Sequence, residues 1–476
     1  MKKYVILITV ILLSVFTARS QSQAVEQKGA QKFITVEAQR RHGGGPTATY
    51  SPYQPFQTRT VDLLPGYQPS NSVETSKYGG WLKHRVKASG FNWVEKIGDR
   101  WWCMDPEGYM FFNVALNSIA MGKSDRNEKA VLDKFGSSAE WIKQTLGMLE
   151  ENGFNCAGSW SDYKAIIEAN KTAKRPFAYT INLNFMSSYG RERGGTFQQP
   201  GHTGYPNDAI FVFDPGFETF CDRHAQQLAA YKNDPSLFGY FSDNEMPFKF
   251  KALDNYLSLP EKEAGNKAAV LWMKEQGITK DQITDKHREA FMALVGEKYF
   301  SIISNAIRKQ DPNHMYIGAR FYSDEKNHET FMRTAGKYLD IVSNNYYNYW
   351  TPDSTQMANW TKWTGKPFMV TEYYTKGEDS GMPNQSGAGW IVKTQRDRGL
   401  FYQNYNLALL ESKHCVGWHY FKYQDNDPTA KGADQSNTDA NKGIVNNYYE
   451  VWKPMMELMR QINTQVYSLI EYFDKK

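Results

Sequence analysis

Two apolar runs of this chain end on acids. Leu237-Phe-Gly-Tyr-Phe241 is followed by Ser242-Asp243-Asn244-Glu245, and Lys366-Pro-Phe-Met-Val-Thr leads into Glu372. Such runs read as buried strands, so Glu245 and Glu372 are expected at strand tips rather than on a solvated face. Two carboxyl groups so placed suit acid–base cleavage of a glycosidic bond. One protonates the departing oxygen, and the other attacks or stabilises the anomeric carbon. The competing reading makes either one a salt-bridged structural acid. Asp243, on the same strand face as Glu245, is its main rival.

Bringing these tips together needs a scaffold. From about Gly90 the sequence alternates between eight strand candidates, 110–117, 154–160, 177–185, 237–245, 315–321, 341–347, 367–373 and 416–421, and intervening helical stretches. The helical material includes 138–151, 217–232, 261–276, 286–308 and 396–412. Eight β/α units predict a (β/α)8 TIM barrel, with a short N-terminal extension and a β-hairpin around Gly98-Asp99 before it. A doubly wound sheet is the runner-up, but no Gly-rich phosphate loop follows any strand. In a barrel, chemistry sits at the C-terminal strand ends, where the fourth and seventh candidates place Glu245 and Glu372.

Period-two alternation assigns Phe368, Val370 and Glu372 to one face, and Gly239, Phe241, Asp243 and Glu245 to another; both are expected to point inward. On the sixth candidate Asn345 and Tyr347 share a face with Ser343, and the Tyr347 hydroxyl is placed to hold a nucleophilic carboxylate. Arg320, Asn113 and Asn117 offer hydrogen bonds to sugar hydroxyls, and Trp160 closes the second candidate. Trp418 on the eighth is either an apolar floor beneath a sugar ring or plain core. Tyr189, His202 and Trp390, in long segments at the same rim, are further candidate sugar contacts.

Composition bounds the reading. Lys2-Lys3, the apolar run to Ala18 and the small residues at 18–20 predict a signal peptide over residues 1–20, cleaved as late as 24, and export to the periplasm or cell exterior. Residues 21–89 are expected to be an irregular extension and 90–476 the catalytic barrel. The 56 basic and 51 acidic residues give a net charge of +5 with no basic run, which argues against a nucleic-acid partner. No further segment is long and apolar enough to span a membrane. The four cysteines form no CxxC or Cys/His cluster, so a zinc site is not expected, and acid–base cleavage by two carboxyl groups requires neither a metal nor an organic cofactor. Aromatic residues reach 15%, which suits rings stacked on sugars as well as a large aromatic core. The sequence carries no signal for the oligomeric state.

The longer runs resemble a known group. Asn244-Glu245 after a fourth strand and Glu372 after a seventh are similar to the clan A retaining glycoside hydrolases. Within them, Arg100–Gly108, Asp234–Glu245, Asp340–Tyr347, Lys366–Tyr373 and Trp418–Asp425 resemble glycoside hydrolase family 50, the β-agarases, and their relatives. The resemblance spans roughly Gly90 to Trp452. It implies Glu245 as acid/base, Glu372 as nucleophile, Asn244 at the hydroxyl beside the anomeric carbon, and Tyr347 orienting Glu372. It also implies a polysaccharide or oligosaccharide substrate, a β-linked galactan of the agarose type. The alternatives are another β-glycan (a sulfated galactan, a β-galactoside or a β-mannan) and a barrel that binds sugar without cleaving it. Agarases of that family carry a β-sandwich-like module before the barrel, where this chain has the extension alone.

Overall fold

The computed structural model describes residues 32–43, 48–70 and 73–475, so the expected signal peptide lies outside the described residues. Eight strands form one parallel sheet: β1 (Asn113–Leu116), β2 (Cys156–Ala157), β3 (Ala178–Asn182), β4 (Leu237–Phe241), β5 (Met315–Tyr316), β6 (Val342–Asn345), β7 (Phe368–Glu372) and β8 (Cys415–Tyr420). Their order is β5-β4-β3-β2-β1-β8-β7-β6. Every neighbouring pair runs parallel. Seven of the eight fall inside one strand candidate, shortened because the flanking residues lack ladder partners, and β8 begins one residue before its candidate, at Cys415. β4 and β5 lie so close at Gly239 that a Cβ there would stand 2.7 Å from the Met315 carbonyl oxygen. Beyond β5, Phe321 bridges to Asn344 of β6, its amide donating to the Ser343 carbonyl at 2.9 Å. One isolated bridge therefore links the chain after β5 to β6 at the far end of the sheet.

Helices cover the outer face, among them Ser138–Glu151, Ala264–Gln276, Asp285–Gln310 and Gln395–Glu411. Their ends are written locally. The Ser137 hydroxyl accepts the Glu140 amide, and Thr394 forms a reciprocal capping box with Asp397. Inside the sheet pack Ala115, Cys156, Phe238, Phe241, Met315, Ile341, Met369 and Val416. The strand parity expected for β7 is therefore reversed. Met369 faces the interior, whereas Phe368 packs outward on Trp360, ring centres 5.1 Å apart, and Val370 joins the same outer core. A register irregularity pairs Asn344 with Val370 and Asn345 with Glu372, which brings Glu372 level with Asn345 despite that reversal.

The segment expected to be irregular contains regular structure. Strands Ile34–Gln39 and Gln54–Thr58 join Thr375–Gly377 and Trp390–Val392 in a four-stranded sheet that flanks the chain just beyond Glu372. Ile34, Val36 and Ala38 alternate with Thr35, Glu37 and Gln39, which gives this arm one buried face. The expected hairpin is present as Trp93–Ile97 paired with Arg100–Met104, in a second antiparallel sheet with Trp81–Arg85 and Tyr109–Phe111. It lies at the N-terminal ends of the parallel strands, where the Trp101 amide donates to the Lys413 carbonyl. Among the described residues no helix is long and apolar enough to cross a membrane.

Candidate active site

Six residues without glycine's freedom hold left-handed backbone just after the parallel strands: Ser118 (φ 58°), Trp160 (φ 59°), Asn184 (φ 56°), Glu245 (φ 52°), Arg320 (φ 54°) and Asn348 (φ 73°). Each such conformation costs about 1 kcal/mol or more and persists where its surroundings over-determine it. At 244–245 the turn aims successive side chains differently. Asp243 points away from the cleft, wholly buried, and accepts the Met186 and Ser187 amides at 2.9 and 3.1 Å and the Tyr299 hydroxyl at 2.7 Å. Burial pushes its carboxyl up to about 6 against those donors. Asp243 thus caps the helix Phe185–Arg193, and Glu245 rather than Asp243 lines the cleft.

Glu245 and Glu372 line one cavity of about 380 Å³. The Asn345 side-chain amide binds both, Nδ2 donating to Glu245 Oε1 at 2.8 Å and to Glu372 Oε2 at 3.3 Å. Those two oxygens are therefore separated by at most the sum of the two distances, 6.1 Å. The remaining partners differ. Glu372 Oε1 accepts the Tyr347 hydroxyl at 2.5 Å, and Oε2 accepts from Arg320 Nη2. Glu245 Oε2 has His202 Nδ1 at 3.5 Å. Glu372 is thus surrounded by donors to a carboxylate. Burial raises its carboxyl above the ordinary value; Arg320 opposes this, the Glu245 charge adds to it, and Tyr347 and Lys442 oppose it. Burial and the Glu372 charge push the Tyr347 phenol well up, so it remains a donor.

Arg320 ties the strand ends together. Fully buried, it donates to Asn244 Oδ1 (2.8 Å), Ser159 Oγ (2.7 Å) and the Thr371 carbonyl (3.1 Å) as well as to Glu372. Its guanidinium lies 4.5 Å from the centre of the Trp160 ring, whose other side is open to the cavity. Tyr322, Tyr374 and Phe421 complete the aromatic walls, and Lys422 and Lys442 add two ammonium groups. Of these wall residues the sequence singled out Lys422 alone, as a strand-end cation for a sulfate or a neutral hydroxyl network; the others stand on loops after β5, β7 and β8 and carry no local signal. A second cavity of about 680 Å³ adjoins the first through Pro200, Tyr322, Gly387, Ala388 and Ser436, and Trp390 lines it.

Several candidates sit elsewhere. Trp418 is fully buried on the outer face of β8, its indole N–H donating to the Tyr402 hydroxyl at 2.8 Å; His419, one residue on, points inward to Asn113. Trp418 is core and not a sugar platform. Asn117 lies beneath the cleft, bonded to the Thr371 carbonyl at 2.9 Å, and Tyr189 packs between Phe217 and Phe220. Among the described residues no group of three His, Cys, Asp or Glu side chains is placed to hold a metal.

Comparisons with known proteins place this geometry. No protein-family model matches the chain. The crystal structure of BpGH50 superimposes with a TM-score of 0.82 and 30% identity, covering 95% of this chain and 99% of that one. AgWH50C, described as an agarase, shares the fold at a TM-score of 0.68 and 21% identity, covering 84% of this chain and 67% of the other. Beta-agarase B of Vibrio sp. (strain JT0107) is 24% identical over 502 residues, 83% of this chain and 50% of the relative. Beta-agarase A of the same organism is 24% identical over 389 residues, 71% and 37% respectively. The chain thus spans half or less of these curated relatives. It belongs to glycoside hydrolase family 50.

Proposed function

We propose that the chain hydrolyses a β-linked galactan of the agarose type by double displacement, on a parallel sheet closed as a (β/α)8 barrel over residues 90–476. The observation that carries this is the Asn345 amide spanning both carboxylates. One donor reaching both carboxylates, with the bonded oxygens at most 6.1 Å apart, supports the carboxyl spacing of about 5–5.5 Å of double displacement over the about 6.5–9.5 Å that leaves room for an inverting enzyme's water. Glu372, held by Arg320 and Tyr347, is the nucleophile. Glu245, lacking a cationic hydrogen-bond donor, carries the proton to the leaving oxygen and then takes one from the incoming water. Asn244, bound through Oδ1 to Arg320 and through Nδ2 to the Gly201 carbonyl at 3.4 Å, presents its edge to the hydroxyl beside the anomeric carbon. The agarose choice draws on the two Vibrio relatives. Barrel closure draws on the Phe321–Asn344 bridge. A polymeric substrate suits the export expected from residues 1–20.

Two variants test the roles. Glu372→Ala should abolish turnover of agarose oligosaccharides. Glu245→Ala should lose about 10²–10⁴-fold and be partly restored by azide, with a β-glycosyl azide as product. An α-linked azide would mean inversion or exchanged roles.

A further inference from the structure

The lysines of the cleft have no part in the mechanism above. Lys422 and Lys442 line the cavity that holds Glu245 and Glu372, and their backbones are clamped together, the Lys422 amide donating to the Lys442 carbonyl at 3.1 Å. The Lys442 ammonium donates to the Ser436 carbonyl and, at 2.9 Å, to Asn437 Oδ1, and lies over the Tyr374 ring. Among the described residues no hydrogen bond or ion pair engages the Lys422 ammonium. Burial depresses both, Lys422 to about 8 against the pull of Asp425 and Glu372, and Lys442 well below its ordinary value with the Lys422 and Lys376 charges adding to the effect. The two amines thus share one poorly solvated pocket, where Glu372 and Asp434 oppose the effect of burial on Lys442.

A buried ammonium so placed is a ready counter-ion for a charged substituent of the substrate. The transition state carries positive charge at the anomeric carbon, and the Glu372 charge is already matched by Arg320. Asp434 lines the same cavity and offsets Lys442, which leaves Lys422 as the ammonium available to a negatively charged group on the substrate. Arg40, over the Trp390 ring at 5.2 Å, continues the positive lining into the adjoining cavity.

We propose that the cleft takes a galactan bearing an anionic substituent, a sulfate ester or a carboxylate, beside the cleaved bond, with Lys422 as its anion site. The inference rests on the hydrolase reading and adds the charge of the substrate. Glu245→Gln enzyme, titrated calorimetrically with size-matched neutral, sulfated and carboxylated galacto-oligosaccharides, separates the possibilities. A charged ligand should bind at least about tenfold tighter than the neutral one, an advantage that collapses near 0.5 M salt and on adding Lys422→Met but survives Lys422→Arg. Whichever of sulfate and carboxylate gains more is the group recognised. Equal or tighter binding of the neutral ligand, an advantage unmoved by Lys422→Met, or no binding by any of the three overturns the proposal. Turnover of the same set by unaltered enzyme reads the hydrolase assignment separately: charged ligands bound but never cleaved would sink that assignment alone.

Discussion

Arg320 is where the chemistry of the cleft is most exposed to a single substitution. Its guanidinium lowers the Glu372 carboxyl against burial and holds Asn244 in place. With Glu372 as the proposed nucleophile, turnover needs it ionised, so activity is expected above its pKa and lost as pH falls through it. Because that pKa is raised, the acid limb of kcat/KM should lie above the range of an ordinary glutamate. Arg320→Met removes the main opposing influence, so the limb should move to still higher pH while kcat drops about 10²–10³-fold. A limb that stays put or moves down in a pH-rate series would refute the pairing. At this scale much of the site was legible: an acid closing an apolar strand marks a tip, which found Glu245 and Glu372, and Asn345, Tyr347 and Arg320 follow from facing strand ends. Trp418 was open to misreading because parity in a strand of six residues turns on one position, and only the contact with Tyr402 fixes its face.

At the scale of elements, two loops meet over Glu245. The hairpin of strands Phe197–Gln199 and His202–Gly204 is held by Asp434, which accepts the Gly201 amide and Gln198 Nε2, both at 2.9 Å. Asp434 also accepts the Ser436 amide at 2.7 Å, so one carboxylate fixes both the hairpin and the loop that carries Lys442. Asp434→Ala should raise KM several-fold with a smaller change in kcat, and hydrogen exchange in 197–204 should speed up; unchanged exchange there would dispose of the tether. Such cross-loop bonds join positions more than two hundred apart in the chain, and no local pattern announces them. Helices were read more fully, Ser138–Glu151 among them to the residue, since caps and 3.6 periodicity are local signals.

For the whole molecule, the N-terminal arm is part of the catalytic rim rather than a tether. Strand Ile34–Gln39 pairs with Trp390–Val392, and the Trp350 indole donates to Thr58 Oγ1 at 3.0 Å. The arm's alternation was written in the sequence but overshadowed by the Gly- and Pro-rich stretches around it, and its partner strands lie over 300 residues away. Val36, 2% exposed, is the point to probe: Val36→Asp buries a carboxylate without a partner. It should cost about 3 kcal/mol or more in urea unfolding and lower activity together with stability, and a variant as stable as the parent would show that the arm is dispensable. The central claim concerns which carboxyl forms the bond to sugar. Intact mass measurement and peptide mapping after reaction with a 2-deoxy-2-fluoro-β-galactoside carrying a good leaving group reads this directly. The geometry predicts one added glycosyl unit, on the peptide containing Glu372; an adduct on Glu245, or turnover to α-configured product with no adduct, would contradict it.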